Sequence, residues 1–127
     1  MEKVKQFAIK IPGVAQRYER QRFNMRTGTA YSPKSYVQAK EAMRLTLLTR
    51  RVVPMSPWEH ECSVQIVINE KLPSRGKRKD IDNYAKLILD AMNGLIYVDD
   101  VQVVELMVSV NREADEPSTE LTVWSFE

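Results

Sequence analysis

Hydrophobic and polar residues alternate along four stretches of the chain, at residues 4–11, 62–69, 104–110 and 120–126. In the first stretch Phe7, Ile9 and Ile11 share one side, opposite polar or small neighbours. A period of two residues is typical of a strand with one buried face. The pattern therefore predicts four β-strands.

Two other stretches repeat their apolar residues at helical spacing. The first follows Ser32-Pro33, with Ser32 predicted as N-cap and Pro33 in the first turn, and should run to about residue 50 or 51. The second is expected to end at Asn93-Gly94, because glycine readily adopts the left-handed conformation that ends helices. Its apolar residues share one face: Ile81, Ala85, Ile88, Leu89 and Met92.

The order β-α-β-α-β-β predicts an α+β fold with a mixed β-sheet and two main helices. We expect the last two strands to pair as a hairpin across a turn at residues 111–118. Residues 13–31 and 71–79 lose the periodic pattern and should form exposed polar loops, which in compact domains are usually functional or mobile. The length of 127 residues fits a single domain, residues 1–127.

The composition, 43% hydrophobic and 28% charged, is that of a globular protein. No apolar run approaches the roughly 18 residues needed to span a bilayer, and the first residues lack the apolar region of a signal peptide. We therefore expect a cytoplasmic protein without a membrane partner. Cys62 and His60 are the single cysteine and histidine, which argues against a disulfide, a zinc site or a catalytic triad within this chain.

Charge is distributed very unevenly along the sequence. Residues 1–79 hold 17 Lys and Arg against 6 Asp and Glu, whereas residues 80–127 hold 2 against 11. The net charge of +2 conceals this division. A basic part beside a separate acidic part favours a polyanion partner such as nucleic acid.

Four aspartates flank the second predicted helix: Asp80, Asp82, Asp99 and Asp100. In a regular helix Asp80 and Asp82 would point about 200° apart, whereas in extended chain they would share a side and Ile81 would face the core. A shared ion therefore requires the helix to begin near residue 82 or 83. Asp99 and Asp100 follow the helix closely enough for the chain to double back toward its start.

Convergent carboxylates without His or Cys would form an all-oxygen site, which suits Mg²⁺ or Mn²⁺ and phosphodiester hydrolysis. Lys86, one turn after Asp82, could then stabilise charge on the phosphate or help to position the attacking water. A plainer interpretation also fits the spacing. Asp82 and its neighbours could simply cap a helix, Lys86 could form surface ion pairs with Asp82 and Asp90, and residues 99–100 could be an exposed turn.

Three linked segments carry a family resemblance: KDIDNYAK at residues 79–86, LDAMNG at 89–94 and YVDDVQV at 97–103. They closely resemble the RusA family of Holliday junction resolvases, which shows D-x-D-N-x-x-K, a helix ending in a D-A-L-N-G-like run, and D-D-x-Q-V. Weaker similarity at the first strand, residues 17–20 and residues 30–33 extends the resemblance over most of the chain.

The resemblance implies a Mg²⁺-dependent endodeoxyribonuclease, with Mn²⁺ as an alternative ion and no small-molecule cofactor. It matches Asp80, Asp82 and Asp100 to the metal-binding aspartates, Lys86 to the catalytic lysine, and Asp99 to the neighbouring aspartate. Because successive strand residues face opposite ways, we expect only one of the paired aspartates to be a ligand, and we favour Asp100.

The resemblance also implies branched DNA as the partner and fits a phage or prophage recombination protein. Two symmetric nicks need two acidic clusters, which predicts a homodimer. Two alternatives stay open: a nuclease that also cuts flaps or single strands, and an adaptor that binds branched DNA without cutting. The candidate DNA-binding residues, which could instead form solvated loops, are Arg75, Lys77, Arg78, Lys79, Arg17 and Arg20.

Overall fold

The computed structural model describes residues 2–15, 21–71 and 81–127. Its α+β class, with a mixed sheet and two helices, confirms the predicted fold class. In chain order the elements are β1 (Lys3–Pro12), β2 (Arg22–Asn24), β3 (Thr29–Tyr31), α1 (Lys34–Thr49), β4 (Cys62–Lys71), α2 (Ile81–Met92), a 3₁₀ turn (Asp100–Gln102), β5 (Val103–Ala114) and β6 (Ser118–Phe126).

The main sheet has the strand order β1-β6-β4-β5. β4 runs parallel to β5 and antiparallel to β6, and β6 runs antiparallel to β1. The predicted hairpin between the last two strands is therefore wrong. β4 lies between β5 and β6, and residues 115–117 carry the chain around its end, where Asn69 pairs with Ser118 and Lys71 with Ala114.

The physical reason lies in β4 itself. Cys62, Val64, Ile66 and Ile68 are all fully buried. In the observed order both edges of this buried strand are paired, one with β5 and the other with β6, so its backbone groups find partners on both sides.

Strands β4 and β5 are parallel neighbours joined through α2, which makes them a β-α-β unit. Such a crossover places the helix on one face of the sheet. The face of β4 that carries Val64 and Ile66 forms one buried cluster with Leu87 and Ile88 of α2 and with Leu47 of α1. The core therefore lies between this face and the helices.

Residues 21–31, part of the expected loop, contain more regular structure than the loss of pattern suggested. β2 and β3 form a small antiparallel hairpin, in place of part of the expected loop. The Asn24 side chain accepts hydrogen bonds from the backbone N–H groups of Arg26 at 2.9 Å and Thr27 at 3.3 Å. Gly28 has a φ of 70°, in the left-handed region that glycine favours. The sequence feature that indicates this hairpin is thus the turn from Asn24 to Gly28, not an alternation of hydrophobic residues.

The start of α1 differs from the prediction by one residue. Pro33, not Ser32, is the N-cap, and no side chain caps the helix. The Pro33 carbonyl accepts the first helical bonds, from the N–H groups of Tyr36 and Val37, both at 3.1 Å. Among the described residues, no helix combines the length and the hydrophobicity needed to cross a membrane.

Candidate metal and DNA-cleavage site

Helix α2 supplies one side of the site. It begins at Ile81 with Asp82 in its first turn, and it is strongly amphipathic. Asp82 and Lys86 are both exposed and lie one turn apart, while Tyr84, Ala85 and Ile88 face the core. The helical spacing therefore places a carboxylate and an ammonium group on the same outward face.

Ile81 does not follow the extended-chain alternative, in which it would face the core. The helix already includes Ile81, and 43% of its surface is exposed. It shares a helix face with the buried Ala85 and Ile88, but it lies in the first turn, where it lines the groove described below.

The chain reverses immediately after α2. Gly94 has a φ of 71°, and the Ile96 N–H bonds to the Met92 carbonyl at 2.9 Å. Arg44 of α1 donates to the last carbonyls of the helix, those of Ala91 at 3.0 Å and Asn93 at 2.8 Å. A guanidinium group at a helix C-terminus satisfies carbonyls that lack helical partners and interacts favourably with the helix dipole. This turn brings Asp99 and Asp100 back beside α2.

The two returning aspartates lie in a 3₁₀ turn, not in a strand. Asp99 is its N-cap and accepts a hydrogen bond from the Val101 N–H at 3.2 Å. The strand geometry expected for these two residues is therefore wrong, because Asp99 caps a 3₁₀ turn of which Asp100 is the first residue.

A groove of about 490 Å³ lies between α2 and β5. Its apolar walls include Ile81 and Leu89 from the helix, and Leu106 and Val108 from the strand. The predicted site residues that line it are Asp82, Lys86 and Asp100. The fold thus brings together the helix part and the turn part of the acidic pattern around one opening.

Asp100 has an unusual electrostatic environment. Its pKa is raised by burial first, and then by the hydrogen bond and the negative charge of Asp99 and by the charge of Asp90. A hydrogen bond with the Asn93 side chain acts in the opposite direction. Negative charge is therefore concentrated here, and a cation would relieve the repulsion.

Asp90 lines the groove, although the sequence indicated it only as a possible ion-pair partner of Lys86. It is half-buried and accepts a hydrogen bond from the buried Tyr36 hydroxyl. Its position one turn after Lys86 was the available signal. That spacing could not reveal the bond to Tyr36, which lies 54 residues away in sequence.

Other predicted residues are not brought to the groove or fall outside the described structure. Asp99 is exposed and caps its own turn rather than lining the opening. Within residues 2–15, 21–71 and 81–127, no group of three or more His, Cys, Asp or Glu side chains is arranged to hold a metal ion. Outside the described residues lie Asp80, Arg75, Lys77, Arg78, Lys79, Arg17 and Arg20.

Comparison with known proteins identifies the family. The family model "Endodeoxyribonuclease RusA" matches residues 12–124 of the 127 residues. The chain belongs to the RusA endodeoxyribonuclease family. The match includes the groove, α2 and the 3₁₀ turn.

A shorter similarity is to "Uncharacterized protein YqaN" of Bacillus subtilis (strain 168). The two proteins are 48% identical over 46 residues, which is 36% of this chain and 32% of the relative. The matched segment thus spans about a third of the relative's length.

Proposed function

We propose that this protein is a divalent-metal-dependent endodeoxyribonuclease that resolves four-way DNA junctions by paired nicks. The observation that supports the proposal is that Asp82, Lys86 and Asp100 line one groove in a member of the RusA family. Family membership supports a nuclease acting on branched DNA. The groove supports hydrolysis at an acidic, cation-binding centre.

The residues that would hold the ion are Asp80, Asp82 and Asp100. Asp82 and Asp100 line the same groove, and their oxygen atoms suit a hard cation such as Mg²⁺, with Mn²⁺ as the alternative. The crowding of Asp100 by Asp99 and Asp90 also favours a cation at this place. The ion would polarise the phosphodiester and lower the pKa of a water molecule.

The protein's own side chains have separate roles in hydrolysis. Water attacks phosphorus, and the bond from phosphorus to one bridging oxygen breaks, which leaves a nick. Lys86 lines the groove and would stabilise the additional negative charge that develops on the phosphate oxygens. Asp99 would support the reaction indirectly, since its side chain caps the turn that carries Asp100.

DNA binding is proposed for the basic segments on the N-terminal side of α2 and of β2. Arg75, Lys77, Arg78 and Lys79 precede Asp80 directly in sequence, so they would contact phosphates close to the cleaved bond. Arg17 and Arg20 would add further phosphate contacts. Such contacts give affinity that is largely independent of base sequence and falls steeply with salt.

We further propose that the active form is a homodimer. A four-way junction has two-fold symmetry, and its resolution requires one cut in each of two opposed strands. Two copies of the chain related by a two-fold axis would supply one groove for each cut.

The decisive experiment compares a labelled four-way junction with a linear duplex of the same sequence, each with Mg²⁺ and with a chelator. We expect paired nicks in the junction alone, and none with chelator. Equal cutting of flaps or single strands would instead indicate a broader nuclease. Tight junction binding without cutting under Mg²⁺ or Mn²⁺ would indicate an adaptor and contradict the catalytic proposal.

A further inference from the structure

The Gln102 side chain joins two segments that are far apart in sequence. Its amide nitrogen donates to the Trp58 carbonyl at 2.7 Å and to the His60 carbonyl at 2.9 Å. Its amide oxygen accepts a hydrogen bond from the Asp99 N–H at 3.0 Å. Both amide protons and the oxygen are therefore engaged, and this set of partners fixes which end of the amide faces which segment.

On one side of this link, Gln102 completes the turn that carries the aspartates. Its side chain bonds to the backbone of Asp99, while the Gln102 N–H bonds to the Asp99 carbonyl at 3.0 Å. Together with the Asp99 side chain, these bonds form a reciprocal capping box. Asp100 is the first residue of the 3₁₀ turn and lies within this closed ring of bonds.

On the other side, the segment that accepts the two amide protons is itself anchored. The Trp58 N–H bonds to the Ile96 carbonyl at 2.9 Å, and the Val98 N–H bonds to the Trp58 carbonyl at 3.1 Å. The rings of Trp58 and His60 stack with centroids 5.0 Å apart. The Trp58 carbonyl therefore offers a fixed point, connected to the chain that leads from α2 into the turn.

We propose that Gln102 is a positioning residue of the cleavage site: by tying the Asp99 backbone to the Trp58–His60 segment, it holds Asp100 in the orientation that a cation requires. Its action is indirect, because it touches Asp99 rather than substrate or ion. The inference rests on the proposed function. It adds to the site an uncharged residue, Gln102, that is not itself a proposed metal ligand.

The test uses two substitutions that break different parts of the link. Gln102→Glu keeps an oxygen for the Asp99 N–H but sets a carboxylate against two carbonyl oxygens. Gln102→Ala removes all three side-chain bonds. Gln6→Glu is the matched control, because the Gln6 amide donates to Ser125 at 2.7 Å on the other side of the sheet.

Three quantities are measured for each variant: the Mn²⁺ bound by protein alone, followed by electron paramagnetic resonance; the Mg²⁺ concentration for half-maximal junction cleavage; and junction affinity with chelator. For both Gln102 variants we expect metal affinity to fall and the Mg²⁺ requirement to rise by about 10- to 100-fold, as for other residues that orient metal ligands. Junction affinity should stay within about twofold of the unmodified protein, which reports that the fold is retained. Gln6→Glu should match the unmodified protein in all three.

Metal curves of the Gln102→Glu variant that overlay those of the unmodified protein would overturn the positioning role. So would a loss of junction affinity in step with metal affinity, since that result describes a general loss of structure. If the unmodified protein shows no metal-dependent cleavage, the proposed function fails first, and this inference with it. An active unmodified protein with an unaffected Gln102→Glu variant refutes the inference alone.

Discussion

The two sides of the groove are held in place by different means. On α2, Asp82 and Lys86 are exposed, and helical geometry alone accounts for their common face. At the turn, Asp100 follows Asp99 inside a capping box formed by Asp99 and Gln102, and the Gln102 amide also bonds to backbone more than 40 residues earlier in the chain. A substitution on the helix side should therefore change chemistry at one position, whereas a substitution on the turn side should also move its neighbours.

The largest effects are expected from neutralising one carboxylate on each side. Asp82→Asn and Asp100→Asn should each lower the rate of junction cleavage by more than about 100-fold. Mutation of residues that only hydrogen-bond to a metal ligand already lowers metal affinity or activity by about 10- to 100-fold. The two variants should also differ in their free energy of unfolding, measured in chelator. Asp82→Asn should leave the free energy of unfolding within about 0.5 kcal/mol of the unmodified value, because Asp82 is exposed.

Asp100→Asn should raise the free energy of unfolding measured by urea denaturation, because it removes repulsion with Asp99 and Asp90. Asp115→Asn is the matched control, an exposed aspartate in the connection between β5 and β6. It should change neither cleavage nor stability. If Asp82→Asn or Asp100→Asn cleaved junctions at the unmodified rate, the substituted aspartate would not be a metal ligand.

The next effect concerns the cation on the helix side. Lys86→Gln should lower the cleavage rate at saturating Mg²⁺ by about 100-fold, in the range seen when a group that stabilises the transition state is removed. Junction affinity in chelator should change little, since one cation among many contributes modestly to binding. Single-turnover cleavage and a gel-shift titration measure the two quantities. Lys34→Gln, at the exposed start of α1, should leave both unchanged, and equal losses in the two variants would refute a specific role for Lys86.

The pH dependence of stability at alkaline pH tests the burial of Cys62, which lies next to the turn. Cys62 pairs with Val103, the residue after Gln102, and burial raises the pKa of its thiol from 9.0 to about 11. Between these values the unfolded chain loses this proton and the folded chain keeps it, so stability should be complete below pH 9 and fall toward pH 11. The expected slope is about 1.4 kcal/mol per pH step from this thiol.

Urea denaturation at intervals of half a pH step would measure that slope. Cys62→Ala is the control and should flatten the curve between pH 9 and 10. The buried Tyr97 hydroxyl, whose pKa is raised by burial and by nearby negative charge, should still lower stability at higher pH. An unchanged slope in Cys62→Ala would contradict a buried neutral thiol.

The smallest effect is expected at Asp90, which lines the helix side of the groove. Tyr36→Phe removes the hydroxyl that donates to Asp90 and should lower the free energy of unfolding by about 1 kcal/mol. Cleavage should fall only a few-fold, because Asp90 is not among the proposed ligands. A loss as large as that of Asp100→Asn would show that Asp90 belongs to the metal site. Tyr31→Phe, an exposed tyrosine of β3, provides the control.

Local patterns predicted the parts of this protein that depend on local geometry. Alternation identified the four strands of the main sheet, and helical spacing put Asp82 and Lys86 on one face, because both periods are properties of the backbone. The motif similarity identified the family, which the match over residues 12–124 confirms. The roles of the individual site residues stay predictions.

Only the tertiary structure decided which strands pair and how the aspartates are held. Alternation predicts that β5 and β6 are strands, but it does not indicate that β4 lies between them. Likewise, D-D-x-Q does not reveal that the Gln102 amide bonds to Trp58 and His60, across more than 40 residues. The physical reason is the same in both cases: a periodic pattern records which side of an element is buried, whereas the partner of a buried edge or amide depends on which distant segment the packed core brings within hydrogen-bond distance.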